Sequence, residues 1–199
     1  MPSEAPRPAS ANVPAPARAT LVGPLTELLR VVEGQQPGMV SVVLVADPYL
    51  RHVHAGASPS LPDDLVAAIE SIEIGPSTCS WGAAIHGRQR VIVEDTATHP
   101  LWFRLRRLAL DHGLRSSLAE PILSPSGHPL GVLVAFRRRV HLPGAVELEL
   151  VASAAHMAGL AIERAAAHER DAQRLAEDSG HLVVWSHAEA NGSEHARAA

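Results

Sequence analysis

The chain has 199 residues, of which 46% are hydrophobic, and a formal net charge of -4, so we expect one globular domain with tails. This charge gives no electrostatic reason to expect nucleic-acid binding, and a single cysteine, Cys79, excludes an intramolecular disulfide and a multi-cysteine zinc site. No apolar run approaches the roughly 20 residues of a membrane span, and no secretory signal is recognisable, so we expect a cytoplasmic protein without a membrane partner.

The first part of the chain predicts a tail, a helix and a hairpin. Residues 1–19, rich in Pro and Ala, are predicted to be a disordered N-terminal tail. Apolar residues on one helical face predict a helix over residues 21–32. The Val-rich run 39–46 and the segment 50–55 predict two strands joined by a turn at Asp47-Pro48.

The middle of the chain predicts short elements. Residues 60–69 begin with a capping-box pattern, which predicts a helix. Thr78 is expected to cap a second short helix that ends at Gly87. Residues 90–94 predict a strand, and the proline that follows His99 predicts a helix over residues 100–112.

The last part predicts a second hairpin and a long helix. Residues 116–123 and 129–137 are predicted strands on either side of a connector that contains Pro and Gly. Residues 144–176 predict one helix, and its apolar side chains fall on one stripe: Val146, Leu150, Met157, Leu160 and Ala161. Residues 177–199, with an apolar run at 181–185, form a tail of uncertain structure. This order of elements predicts an α+β fold with an antiparallel sheet and helices on its faces.

Four motifs, in the same order, resemble the GAF domain family. Residues 91–102, VIVEDTATHPLW, are similar to the family's V-V-E-D-I-A-T-D-P-L-W signature, and residues 109–116 to A-x-x-H-G-L-R-A. Residues 121–131 resemble P-I-L-S-x-x-G-x-x-L-G, and residues 160–164 the family's final helix. The resemblance is to a stand-alone bacterial sensor-type GAF domain over residues 20–176. It implies a PAS-like antiparallel sheet of about six strands, helices on both faces and a long C-terminal helix.

The resemblance also implies a small-molecule pocket beneath the segments that connect the strands. Its candidate lining residues are Trp81, Asp95, His99, Trp102, Arg115 and Ser117. Trp81 stands where the family usually has a cysteine, so its ring would fill ligand space or stack on a flat ligand. His99 replaces an aspartate that caps the next helix, and this change is expected to weaken the helix start.

The family resemblance leaves three functions open; none of them assigns a catalytic residue, and the first two assign no metal-binding residue. The first is a non-catalytic sensory domain that couples a small molecule to a homodimer of terminal helices, with a kinase or regulator as a further partner. The second is a ligand-free dimerisation or protein-docking module. The third is a haem- or chromophore-binding redox or gas sensor that uses His86, His99 or His112.

Several side chains admit both a chemical and a structural interpretation. GAF-type sulfoxide reductases need a cysteine with a resolving partner, so Cys79 alone disfavours an enzyme and is interpreted as a small packed residue. Arg115 is interpreted as one half of a surface salt bridge, with an anionic ligand as the alternative. The basic run 137–139 is interpreted as a solvated loop.

Overall fold

A computed structural model describes the backbone of residues 15–70 and 72–194, and the side chains of residues 20–70 and 72–177. The elements in chain order are α1 (Ala15–Gln35), β1 (Met39–Ala46), β2 (Val53–Ala57), α2 (Asp63–Glu70), α3 (Ser80–Gly87), β3 (Val91–Val93), a 3-10 turn (Pro100–Trp102), α4 (Arg106–Asp111), β4 (Ser116–Leu123), β5 (Pro129–Arg137) and α5 (Ala145–Glu194).

The strands form one antiparallel sheet in the order β2-β1-β5-β4-β3. Strand β5 lies in the middle, and all nine of its residues are buried because helices cover both faces. A Cβ atom on residue 131 would lie 2.1 Å from the carbonyl oxygen of Leu44. Strands β1 and β5 therefore lie this close together only because Gly131 has no side chain. The predicted α+β fold is confirmed, but the described residues contain five strands rather than about six.

Helices α1 and α5 cover one face of the sheet. Alternate strand side chains point to this face, and Leu25 and Leu29 of α1 and Ile162 of α5 pack against them. The buried face of α5 is largely alanine, so this helix lies close to the strands. A Cβ atom on Gly159 of α5 would lie 3.1 Å from the carbonyl oxygen of Leu123.

The opposite side of α5 is apolar and exposed. Three residues of the stripe that predicted this helix turn away from the sheet: Val146 is 74% exposed, Met157 50% and Leu160 46%. The other two, Leu150 and Ala161, are partly buried against the core. The described part of α5 up to Glu177 is long and apolar enough to cross a bilayer: its most apolar 18-residue stretch has a mean hydropathy of 1.4, and 39% of that stretch is buried inside the domain. Core helices of other proteins meet the same criterion, so composition alone does not decide its surroundings.

Several element boundaries differ from the predictions. Helix α1 begins at Ala15, inside the predicted tail, of which residues 1–14 lie outside the described part. The predicted helix over 100–112 is divided, because Leu105 has a φ of -108° and a ψ of 5°. The backbone of α5 continues to Glu194 and includes the apolar run 181–185.

Candidate functional site

Three aromatic rings fill the space between α3 and the second face of the sheet. The ring centroids of Trp81 and Trp102 lie 5.7 Å apart in an edge-to-face arrangement, and those of Trp102 and Phe136 lie 5.9 Å apart. Trp81 and Phe136 are fully buried, and Trp102 is 1% exposed. The two tryptophans predicted to line a ligand pocket therefore pack as part of the core.

A short chain of hydrogen bonds orients one of these tryptophans. The indole Nε1 of Trp102 donates to Ser117 Oγ at 3.2 Å, and this hydroxyl donates to Ser80 Oγ at 3.3 Å. The indole Nε1 of Trp81 is buried and has no acceptor among the described residues. A buried N–H without an acceptor costs roughly 1–3 kcal/mol, so this group would gain from a water molecule or ligand atom.

Ser80 and Phe136 belong to this cluster but were not candidates from the sequence. Phe136 lies in a continuous apolar run whose pattern does not reveal which face of the sheet each residue meets. Ser80 reaches the cluster only because α3 packs against β4.

Cys79 begins α3 as its N-cap residue, a position that the sequence pattern assigned to Thr78. Its sulfur accepts a hydrogen bond from the backbone N–H of Gly82 at 3.2 Å, whereas the Thr78 hydroxyl bonds to the carbonyl of Gly75. Burial raises the pKa of the Cys79 thiol to about 11, and the hydrogen bonds of its sulfur with Gly82 and Thr78 only partly oppose this. The group is therefore a neutral thiol at neutral pH, which is a poor nucleophile.

Asp95 and Arg115 form an ion pair beside the aromatic cluster. Arg115 Nη2 lies 3.1 Å from Asp95 Oδ1, which also accepts a hydrogen bond from the backbone N–H of Ala97. The Ala97 N–H and then the Arg115 guanidinium lower the pKa of Asp95. The backbone N–H of Arg115 also donates to the carbonyl of Arg137, which links this pair to β5.

His99 remains the cap of the 3-10 turn. Its Nδ1 accepts a hydrogen bond from the backbone N–H of Leu101 at 3.2 Å. The imidazole thus replaces the expected aspartate as an acceptor, provided that Nδ1 carries no proton. In this arrangement Nδ1 of the side chain is engaged in a hydrogen bond with the backbone.

The three histidines considered as haem ligands occupy different surroundings. His86 is exposed at the C-terminal end of α3, and His99 caps the 3-10 turn. His112 Nε2 lies 2.8 Å from Asp64 Oδ2. Within the described residues, no group of three or more His, Cys, Asp or Glu side chains is placed to hold a metal ion.

Arg137 is buried in an ionic network, which corrects its interpretation as part of a solvated loop. Its Nη2 lies 3.1 Å from Oε1 of Glu147, and His141 Nε2 lies 2.7 Å from the other oxygen of that carboxylate. The remaining guanidinium donors reach Gln36 and the carbonyl of Pro37. The network joins the end of β5, the end of α1 and the first turn of α5, three segments that only folding brings together.

The chain is similar in sequence to known proteins of one family. A family model described as "GAF domain" matches residues 25–163. The methyl sulfide methyltransferase-associated sensor of Methanosarcina acetivorans is 34% identical over 145 residues. This match covers 73% of the chain but only 14% of that relative's length.

Two solved structures share the fold. One is the GAF domain region of a putative membrane protein from Geobacter sulfurreducens, with a TM-score of 0.61 and 22% identity, covering 74% of this chain and 96% of that one. The other is a type II free methionine-R-sulfoxide reductase from Thermoplasma acidophilum, with a TM-score of 0.59 and 14% identity over the same shares. At these identities the likeness extends to the fold alone.

Proposed function

Since this chain belongs to the GAF domain family, we propose that it is a non-catalytic sensory domain that forms a homodimer through α5 and couples ligand binding to that dimer. The exposed apolar stripe of α5 is the observation that carries this proposal. A relative that is named as a sensor supports the sensory role. A kinase or another regulator would then respond to the change in the arrangement of the paired helices.

The stripe has the spacing of a helix–helix seam. Val146, Leu150, Met157 and Leu160 repeat at intervals of three, four and seven residues, which is the a/d pattern of a coiled coil. Three of these four side chains are about half exposed or more, although the other face of the same helix is fully packed. Pairing with a second copy would bury this second apolar face.

The Arg137–Glu147 pair supports coupling between the sheet and α5. Glu147 lies in the first turn of the helix, and its carboxylate binds a side chain from the end of the central strand. Because of this ion pair, a movement of β5 would carry the start of α5 with it. A direct contact between the sheet and the helix is one element that transmission of a ligand signal requires.

The state of Cys79 supports a non-catalytic role. The thiol is 2% exposed, uncharged at neutral pH and engaged as a helix cap. The reductase with the same fold shows that this architecture accommodates an enzyme. In this chain, however, the single thiol caps the start of α3.

A ligand-free dimerisation module is the second candidate. The packed rings of Trp81, Trp102 and Phe136 favour it, because they occupy the space where an inner ligand would lie. A metabolite, nucleotide and haem screen separates the two candidates, since any ligand that binds the folded state raises the melting temperature. A shift supports the sensory domain, and its complete absence supports the ligand-free module.

The dimer is tested by one pair of matched substitutions. Leu160→Glu places a charge on the stripe, whereas Leu110→Glu makes the same change at a residue of α4 that is 37% exposed. We expect sedimentation equilibrium to show a dimer for the wild type and for Leu110→Glu, and a monomer for Leu160→Glu. A monomeric wild type, or a Leu160→Glu variant that remains a dimer, would overturn this part of the proposal.

A further inference from the structure

A cleft of about 230 Å³ lies at the end of the sheet where β1 finishes and β5 begins, near the C-terminal end of α3. Its lining consists of Leu50, Ile74, Ile85, His86, Arg88 and Pro129. A neighbouring cleft of about 240 Å³ shares Leu50 and Ile74 and adds Arg51 and Glu73. Neither cleft includes any of the six candidate pocket residues identified from the sequence.

Two residues that line the first cleft have an unusual backbone conformation. Leu50 has a φ of 54° and Arg88 a φ of 53°, and they are the two non-glycine residues with positive φ in the described part of the chain. Leu50 ends the turn after Asp47, and Arg88 ends α3, both positions where glycine or asparagine is preferred. Non-glycine residues held in sparsely populated backbone conformations cluster at functional sites, including ligand-binding sites.

The two strained residues supply complementary chemistry to the same space. Leu50, Ile74, Ile85 and Pro129 are the apolar residues of the lining, and Arg88 is a cationic residue of the same lining. In the described structure, the Arg88 side chain has no ion pair, and no acidic residue lines this cleft. A guanidinium is matched to a carboxylate, which accepts two parallel hydrogen bonds from it.

From this arrangement we propose that the cleft binds a small apolar carboxylate, with its carboxylate on Arg88 and its hydrocarbon body against Leu50 and Ile85. The volume is below the roughly 300–1,000 Å³ of pockets for drug-sized ligands, so it suits one ring or a short chain. Arg51, in the neighbouring cleft, adds to the positive charge at the entrance, and Glu73 partly offsets it.

A short path connects this cleft to the helix proposed to pair between subunits. Pro129 lines the cleft and is the ladder partner of Leu123 on β4. The carbonyl oxygen of Leu123 lies against Gly159 of α5, where a Cβ atom would be 3.1 Å away. A ligand that displaces Pro129 would therefore press on α5. The role of this cleft as the site where the sensor receives its signal rests on the proposed function, whereas ligand binding in the cleft does not.

Binding is tested on the full chain by NMR titration with phenylacetate, 3-phenylpropionate and hexanoate up to millimolar concentration. We expect saturable shifts of the backbone signals of Leu50, Ile85 and Arg88 with at least one of the three acids. The matching neutral amide should bind about tenfold more weakly, because it forms no charge-assisted hydrogen bond with Arg88.

Substitutions by glycine separate the side chains from the backbone. Leu50→Gly and Arg88→Gly suit the local φ angles, so the fold should persist while the affinity for the acid falls about tenfold. Arg107→Ala removes an equivalent charge from an arginine on α4 that forms no part of the cleft, and should bind the acid like the wild type.

The outcomes distinguish this site from the proposed sensory role. Absence of saturable shifts with all three acids, equal binding of acid and amide, or unchanged affinity in Arg88→Gly would overturn the cleft site, whatever the state of the α5 dimer. Binding at the expected residues without any change in the dimer dissociation constant would support the site and overturn its role as the input of the sensor.

Discussion

Arg137 and Glu147 lie ten residues apart in the chain and form an ion pair that is almost completely buried, with side-chain exposures of 9% and 8%. The pair joins the last residue of the central strand to the first turn of α5. Because the pair is buried, removal of one charge leaves the other without a partner in a nonpolar environment, which strongly destabilises the fold.

Replacement of this carboxylate should strongly destabilise the fold. Glu147→Gln leaves the Arg137 guanidinium buried without a counter-ion, and we expect a loss of roughly 3 kcal/mol in the free energy of unfolding measured with urea. Asp111→Asn is the control, because Asp111 pairs with Arg107 at 3.9 Å on the surface, and its loss should cost less than about 0.5 kcal/mol. Similar losses in the two variants would contradict the assigned role of the buried pair.

The two buried tryptophans should respond differently to the same substitution. Trp81→Phe removes an N–H that has no acceptor, whereas Trp102→Phe removes the donor to Ser117. The change in ring volume is the same, so Trp102→Phe should be about 1–2 kcal/mol less stable than Trp81→Phe. Denaturant unfolding of both variants measures this difference, and the reverse order would show that Trp81 Nε1 has an acceptor in solution.

Cys79 should be almost inert to alkylation in the folded protein. Its pKa of about 11 leaves roughly one thiol in a thousand ionised at pH 8, and the sulfur is buried as well. Mass spectrometry after treatment with iodoacetamide should show labelling at least about a hundredfold slower in buffer than in denaturing urea. Comparable rates in the two solutions would mean that the start of α3 opens readily.

Asp95 should contribute to the stability of the fold in a pH-dependent way. Its pKa is lowered from 3.8 in the folded state, so its charged form stabilises the fold at pH values above about 4. That contribution is lost as the pH falls through the lowered pKa. Asp95→Asn should therefore lower the melting temperature at pH 7, and the gap to the wild type should narrow as the pH is lowered below about 4. A gap that stays constant with pH would exclude Asp95 as the titrating group.

The periodic parts of the chain were predictable because their signals are local. The two hairpins, the central strands and the start of the long helix follow from apolar spacing and turn residues within short windows. The ordered motifs over residues 91–131 identified the family, which the family model confirms. The cap of α3 was placed one residue early, because both Thr78 and Cys79 are able to accept a hydrogen bond there.

The sequence by itself determined the order of the elements, the antiparallel α+β class and the family, because these depend on periodicity and on contiguous motifs. Only the tertiary structure decided what the candidate side chains do. Trp81 and Trp102 became core residues because α3 packs onto β4 and β5, and Arg137 became buried because the start of α5 brings Glu147 to it. The same packing places Leu50 beside Arg88, and such contacts between distant segments leave no trace in local spacing.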